Sequence, residues 1–317
     1  MAQRILEPGE IETLAAHSIP RVRIPDRTRL FAKRAERLRT LAATSPIGDY
    51  LRLFAVVADA QHAAVADFPA ELPGAAQIEM AQTHRMPPIA AASWPRAPQW
   101  RATLQAICAA AARQPHLPAP IVQITAGLRD AAADELEAQA DILLGARDGG
   151  IDAAAAPFLM AALQVNWLAL ASRFAANEVK PIDVPGLCPL CGSLPVSSIV
   201  ATQTPYQGYR YLHCALCACE WHMVRVQCSQ CGAAGKDIAY RSLASATAAG
   251  DAAIAAAVRA ETCEHCHSYR KILYQEKDPG VEPVADDLAS IALDLLLAEA
   301  GYARASGNPL LWQPAQG

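Results

Sequence analysis

Aromatic residues are scarce: five Phe, five Trp and eight Tyr make up 6% of 317 residues. The chain is 53% hydrophobic, but much of that is alanine. Alanine favours helix and buries little area per residue, so helix-on-helix packing is expected to form the bulk of the molecule. Charge excess of one sign is also missing. A formal net charge of −4 gives no reason to expect nucleic acid or an anionic membrane as partner. Membrane-grade apolar runs are absent as well. Residues 153–172 carry no charge, but they include eight alanines with Pro157, Gln164, Asn166 and Ser172, a composition that suits a central buried helix better than a bilayer. No GxGxxG, Walker loop, GxSxG or HExxH occurs, which removes the motif-bearing nucleotide-binding, hydrolase and zincin classes. The first twenty residues, MAQRILEPGEIETLAAHSIP, lack an uninterrupted apolar segment and carry Glu7, Glu10 and Glu12. A signal peptide is not expected from them, and a cytoplasmic, reducing location is.

What is present divides at Pro185. Residues 27–42 place Phe31, Ala35, Leu38 and Ala42 on one helical face, with a basic outer face, and Arg21, Arg23, Arg27, Arg29, Lys33, Arg34, Arg37 and Arg39 form a basic run that leads into and along it. Solvated helix face is the expectation for most of that run, docking to an acidic partner the alternative. Residues 48–68 read the same way. A proline-rich break, RMPPIAAASWPRAPQW, spans 85–100, and further helices are expected at 98–113, 119–145 and 154–176. After residue 184 the text turns to short β-rich runs, PVSSIV, YRYLH, EWHMVRVQ, IAYRSL and SYRKILYQ, each close to a CxxC. DPGVEP then links to a closing helix in ADDLASIALDLLLAEAGY, with Asp286 and Asp287 near its start and Gly301 at its end. Residues 281–317 hold Arg304 against Glu282, Asp286, Asp287, Asp294 and Glu299, so the whole net charge sits there. That acidic helix reads as a partner site or as a soluble outer face.

Nine of ten cysteines lie between 188 and 266, eight of them in CxxC pairs: Cys188/Cys191, Cys214/Cys217, Cys228/Cys231 and Cys263/Cys266. Two intervening residues let both thiolates face one metal while turn N–H groups bond the sulfurs. Paired in chain order, the four knuckles make two tetracysteine sites: Cys188, Cys191, Cys214 and Cys217, then Cys228, Cys231, Cys263 and Cys266. Interleaved pairing is the structural alternative. It is disfavoured because YRYLH can return antiparallel to PVSSIV, and SYRKILYQ to IAYRSL. Tetrahedral thiolate suits zinc or a rubredoxin-type iron equally, and a complete S4 set leaves no open position for water activation. Arg210, Arg225, Arg270 and Lys271 are the cations expected to offset residual negative charge. His213, His222, His265 and His267 flank the knuckles and read as neighbours, since eight cysteines already complete both sites. Cys108 reads as a small buried helix residue. Cys219 is left over; strand alternation would turn it away from Cys217 if the strand starts there, and it reads as a small packing residue, with a free thiol near the metal as the alternative.

The segment running from CPLCGSLPVSS through GYRYLHCALC and EWHMVRVQCSQCG to YRKILYQEKDPGVEPVADDLASIALDLLLAEAGYAR closely resembles the formate dehydrogenase accessory protein FdhE family, over residues 184–305. The resemblance implies a multi-domain α+β chain: an all-α domain (1–183), two small rubredoxin-like, zinc-ribbon-like modules (184–226 and 227–277), and a linker with a C-terminal helix (278–317). It implies a cytoplasmic, non-catalytic factor for making active respiratory formate dehydrogenase, whose partner is that enzyme's catalytic molybdenum or tungsten subunit before export. It also implies two metal ions per chain, with iron favoured and zinc the alternative, on the eight CxxC cysteines. Cys219 lies outside the family motif. Two other classes stand beside this reading: a rubredoxin-like electron-transfer protein, and a zinc-ribbon nucleic-acid binder, against which the neutral ribbons and acidic tail count. Oligomeric state is not legible.

Overall fold

The structure is a computed structural model and describes residues 19–203, 206–243 and 256–311. The N-terminal stretch read above for a signal peptide lies almost wholly outside these residues. After a two-residue strand β1 (Val22–Arg23), seven helices follow: α1 (Leu30–Ala42), α2 (Gly48–Val65), α3 (Ala75–Thr83), α4 (Gln99–Ala112), α5 (Ala119–Asp130), α6 (Ala133–Leu143) and α7 (Ala156–Ala171). Every residue of α7 is buried, and α2, α4 and α6 pack around it. A helix apolar all round must be buried all round, as its charge-free sequence requires. Among the described residues no helix is long and apolar enough to cross a membrane.

Two helical expectations change. The span 119–145 is two helices, because Ala131 and Ala132 adopt extended backbone (ψ 141° and 149°). The break re-aims the second helix so that Leu136 and Ala140 join the core. The stretch 75–83, outside the expected helices, forms α3, a short helix with no buried residue.

The second half is one sheet. Strands β2 (Pro195–Val200), β3 (Arg210–Cys214), β4 (Glu220–Met223), β5 (Ile238–Arg241), β6 (Val258–Cys263), β7 (Ser268–Tyr274) and β8 (Ala303–Arg304) join β1 in the order β1-β4-β3-β2-β7-β6-β5, with β8 on β7. β2 and β3 form the expected antiparallel pair. SYRKILYQ does not pair with IAYRSL; β6 intervenes, antiparallel to both β5 and β7. The two cysteine units are also not separate bodies. Parallel pairing of β2 with β7, Ser198 opposite Ile272, fuses them edge to edge and covers two edges that would otherwise be open.

The closing helix is also two, α8 (Pro283–Ala289) and α9 (Ile291–Glu299), broken at Ser290. Lys271 Nζ supplies the reason: it donates to the carbonyls of Asp287 (2.7 Å) and Ser290 (3.1 Å) at the break. Gly301, at φ +84°, ends α9 as expected, with Tyr302 N bonded back to the Leu297 carbonyl. The acidic outer face read at Asp286 and Asp287 is wrong, since both are buried. Asp286 takes Arg37 (2.6 Å), while Asp287 meets Arg304 and Asn308. Arg34 is likewise buried, 2.9 Å from Glu282. Two arginines of the basic run therefore face inward and hold the tail against α1.

Candidate metal centres

The first site forms where three parts of the chain converge. Cys188 and Cys191 lie in a turn ahead of β2, where Cys188 N bonds the Ser193 carbonyl (2.9 Å) and Gly192 N the Cys188 carbonyl (2.8 Å). Gly192 sits at φ +77°, a conformation that costs glycine little. Cys214 ends β3, and the amides of Leu216 and Cys217 point at its sulfur, each 3.4 Å away. Those N–H···S contacts are what a knuckle uses to spread thiolate charge.

The four sulfurs of Cys188, Cys191, Cys214 and Cys217 lie within 4.8 Å of one another, and all four residues are buried. Cys188 and Cys217 sulfurs are 3.6 Å apart, Cys191 and Cys214 sulfurs 3.4 Å. A tetrahedral metal with bonds of about 2.3 Å sets its sulfurs about 3.8 Å apart, so the donor set fits one ion. Electrostatics point the same way. Burial pushes the Cys188, Cys214 and Cys217 thiols well up, while against burial, hydrogen bonds from Cys188, Cys214 and Cys217 hold Cys191 well down. Without a cation, a packed set of this kind cannot release all its protons.

The second site repeats the design. Cys228 N bonds the Ala233 carbonyl (2.7 Å), Gly232 N the Cys228 carbonyl (3.0 Å), and Gly232 has φ +80°. Cys263 ends β6, opposite Ile238. Sulfurs of Cys228 and Cys266, and of Cys231 and Cys263, are each 3.7 Å apart. Again all four lie within 4.8 Å, but here Cys231 is exposed and Cys266 half-buried. Against the cost of burial, hydrogen bonds from Ser268 bring Cys266 down to about 7.

The difference in burial comes from the helical domain. Ile89 N and Ala91 N, in the proline-rich break, donate to the carbonyls of Leu190 (3.2 Å) and Cys191 (2.8 Å). Trp167 Nε1 of α7 fixes that segment through the Ile89 carbonyl (3.2 Å). Gln164 Nε2 of α7 reaches the Ala215 carbonyl inside the second knuckle (2.6 Å). The break is thus a cover strap for the first site. Nothing at Ile89 or Ala91 advertised this in sequence; the signals were the two uncharged polar residues on the otherwise apolar α7, Gln164 and Asn166, the latter accepting from Ala97 N of the strap (3.0 Å).

Other flanking residues fall into place. Arg270 reaches the third knuckle through Ser229 Oγ (2.8 Å) and Arg210 the Gln227 carbonyl beside Cys228 (2.8 Å); Arg210 also pairs with Glu261 (2.8 Å), Lys271 with Asp294 (2.7 Å), and Arg225 meets the Gly208 carbonyl (3.5 Å). Of the four cations expected to offset the sulfurs, Arg270 and Arg210 thus both bond backbone or side chain at the third knuckle. His213 Nδ1 lies 2.9 Å from Glu220, and His222 packs edge-on to Tyr209 and Tyr211; neither joins a cysteine cluster. Cys108 is buried in α4, its thiol pushed up to about 12 by burial. Cys219 is a buried free thiol, as the packing reading expects, with its sulfur 4.0 Å from the Glu220 carbonyl. Strand β4 begins only at Glu220 and Ala218 is held at φ +59°, so strand alternation does not run from Cys217 to Cys219.

Comparison with known proteins places these features. FdhE N-terminal, central and C-terminal domain models match residues 19–183, 187–225 and 226–311. The chain is 41% identical to Protein FdhE of Escherichia coli over 312 residues, covering 98% of this chain and 97% of that one. It is 40% identical to the FdhE homolog of Cronobacter sakazakii over the full length of both. The crystal structure of FdhE from Pseudomonas aeruginosa superposes with a TM-score of 0.78 at 39% identity, over 93% of this chain and all of the other. With its helical half, its ribbon half and both tetracysteine groups covered by these matches, the chain belongs to the FdhE family.

Proposed function

We propose that this protein is a non-catalytic accessory factor for the maturation of formate dehydrogenase, acting in the cytoplasm on the catalytic subunit before export. The observation that carries the reading is the end-to-end match to FdhE proteins, with both cysteine groups assembled. In this reading the eight CxxC cysteines ligate two metal ions, iron on the family resemblance and zinc as the alternative. Four sulfurs around each ion leave no open position for substrate, which supports assembly work over chemistry at the metal. Deleting the gene and assaying formate-dependent dye reduction is the test: loss of activity is expected, and fully active enzyme in the deletion strain refutes the proposal.

A second reading has one observation in its favour. The exposed Cys231 and half-buried Cys266 would bring a metal at the second site to the surface, as electron exchange requires. Reversible bleaching of a visible thiolate–iron absorption would support it. Zinc in both sites after iron-replete expression would eliminate it.

A further inference from the structure

Arg270 stands apart from the other buried cations of the sheet. Arg210 is paired with Glu261 and Lys271 with Asp294. Arg270, on β7, is only 4% exposed, yet among the described residues no carboxylate lies within ion-pair distance of it. Glu261, opposite it on β6, gives its ion pair to Arg210. A buried guanidinium without a counter-charge is costly.

The contacts of Arg270 join three parts of the chain. Nε donates to Ser229 Oγ (2.8 Å), between Cys228 and Cys231 of the second site. Nη1 donates to the Pro195 carbonyl and to Ser306 Oγ of the tail. Pro195 opens β2 directly opposite Cys214, a member of the first site. Nη2 is buried with no partner. Arg270 also lines a small cavity of about 10 Å³ together with Cys228 and Cys263. One guanidinium thus bonds a knuckle of the second site and the strand end that faces Cys214 in the first.

The missing counter-charge is chemically at hand. A metal-free cysteine set with its thiols protonated is neutral, and Arg270 then stays uncompensated. Loading with a divalent ion displaces the thiol protons and leaves a net charge of about −2 on the metal–thiolate unit beside it. On the reading that both cysteine sets hold metal, we infer that Arg270 couples the two sites, so that an ion at the second raises the affinity of the first. The charge of the loaded second site holds the arginine, and the arginine's fork holds β2 in place against Cys214. By linkage the effect is reciprocal.

Zinc binding to the full-length chain, measured by competition with a chromophoric chelator, tests this. Wild type should hold about two zinc ions, one per cysteine set. Removing the second site with Cys263→Ala/Cys266→Ala should weaken zinc binding at the first by about tenfold. Arg270→Lys keeps a charge beside the second site, but an ammonium cannot span Ser229 and Pro195 as the planar fork does. In that background both sites should still fill, and removing the second should change first-site affinity by less than about twofold. Ser229→Ala cuts the knuckle end of the same link without removing the cation. It should also lower the coupling, and it decides the matter if Arg270→Lys does not fold. An unchanged first site after loss of the second overturns the inference. So does a coupling that survives Arg270→Lys or Ser229→Ala, since the β2–β7 seam would then carry it. A wild-type chain holding fewer than two zinc ions overturns the metal reading itself, and stoichiometry tells that result from the others.

Discussion

The contact of Arg34 with Glu282 offers the sharpest test of how the two halves are joined. Arg34 lies on α1 and Glu282 caps α8, with side chains 1% and 8% exposed. The Glu282 carboxylate accepts from Arg34 Nε (3.0 Å) and from the amides of Val284 (3.1 Å) and Ala285 (2.7 Å). Glu282→Gln preserves shape and can still accept from the helix amides, but it leaves a buried guanidinium without its counter-charge. Breaking one side of such a pair costs about 3–5 kcal/mol. With a urea slope of about 2–3 kcal/mol per M, the unfolding midpoint should fall by about 1–2.5 M. Adding Arg34→Met removes the stranded cation. Gln164, which also receives Arg34 Nη1, keeps its bond from Gln61 (3.1 Å). The double variant should therefore recover to within about 1–2 kcal/mol of wild type. Urea titration of the metal-loaded chain, followed by circular dichroism, measures both. The reasoning is refuted if Glu282→Gln leaves the midpoint unmoved, or if the double variant is no more stable than the single one.

Three further outcomes follow from the same geometry. A thiophilic chelator should strip the second site first, because Cys231 and Cys266 are accessible while the first site lies under the 85–100 strap; time-resolved metal release from wild type and Cys263→Ser checks the order. Gly186→Ala should destabilise the chain by about 1–3 kcal/mol and loosen the second site, since a Cβ there would collide with the Ser229 carbonyl inside the third knuckle; thermal melting and zinc affinity report both effects. Glu137 is held below the usual carboxylate range, against the cost of burial, by hydrogen bonds from Arg96, Trp100 and Arg101. Its folded value is depressed, so its stabilisation is complete above the unfolded value of 4.5 and fades as pH falls through the folded one. The melting-temperature advantage of wild type over Glu137→Gln should accordingly shrink on acidification.

The cysteine groups were legible because a CxxC carries its geometry locally: two residues between the thiols and a glycine after Cys191 and Cys231. Chain-order pairing was legible at the first site through the β2–β3 return; at the second site the pairing is the expected one, but the return that makes it is β6. The failures share a cause. Asp286, Asp287, Arg34 and Arg37 look like surface charge along the chain; docking of α8 onto α1 brings Arg34 and Arg37 to Glu282 and Asp286, while Asp287 is buried against Lys271, Arg304 and Asn308. Where Cys219 points depended on where β4 begins, and that is fixed by the left-handed backbone at Ala218 and the strand start at Glu220, neither of which the spacing of the cysteines encodes. The hairpin read between IAYRSL and SYRKILYQ skipped β6, whose sequence VRAETC carries three charged or polar residues and little sign of a central strand.

By itself the sequence determined the helical and ribbon halves, the buried central helix α7, the eight clustered thiols and the family. Helical periodicity and knuckle spacing are local properties, written over a few residues. Tertiary structure decided what those parts do to one another. The parallel seam between β2 and β7, the strap over the first site and the tail's ion pairs join residues up to 249 positions apart. Their partners are set by which surfaces meet, and no local pattern encodes that. The unequal burial of two sites with the same spacing is the clearest result of it.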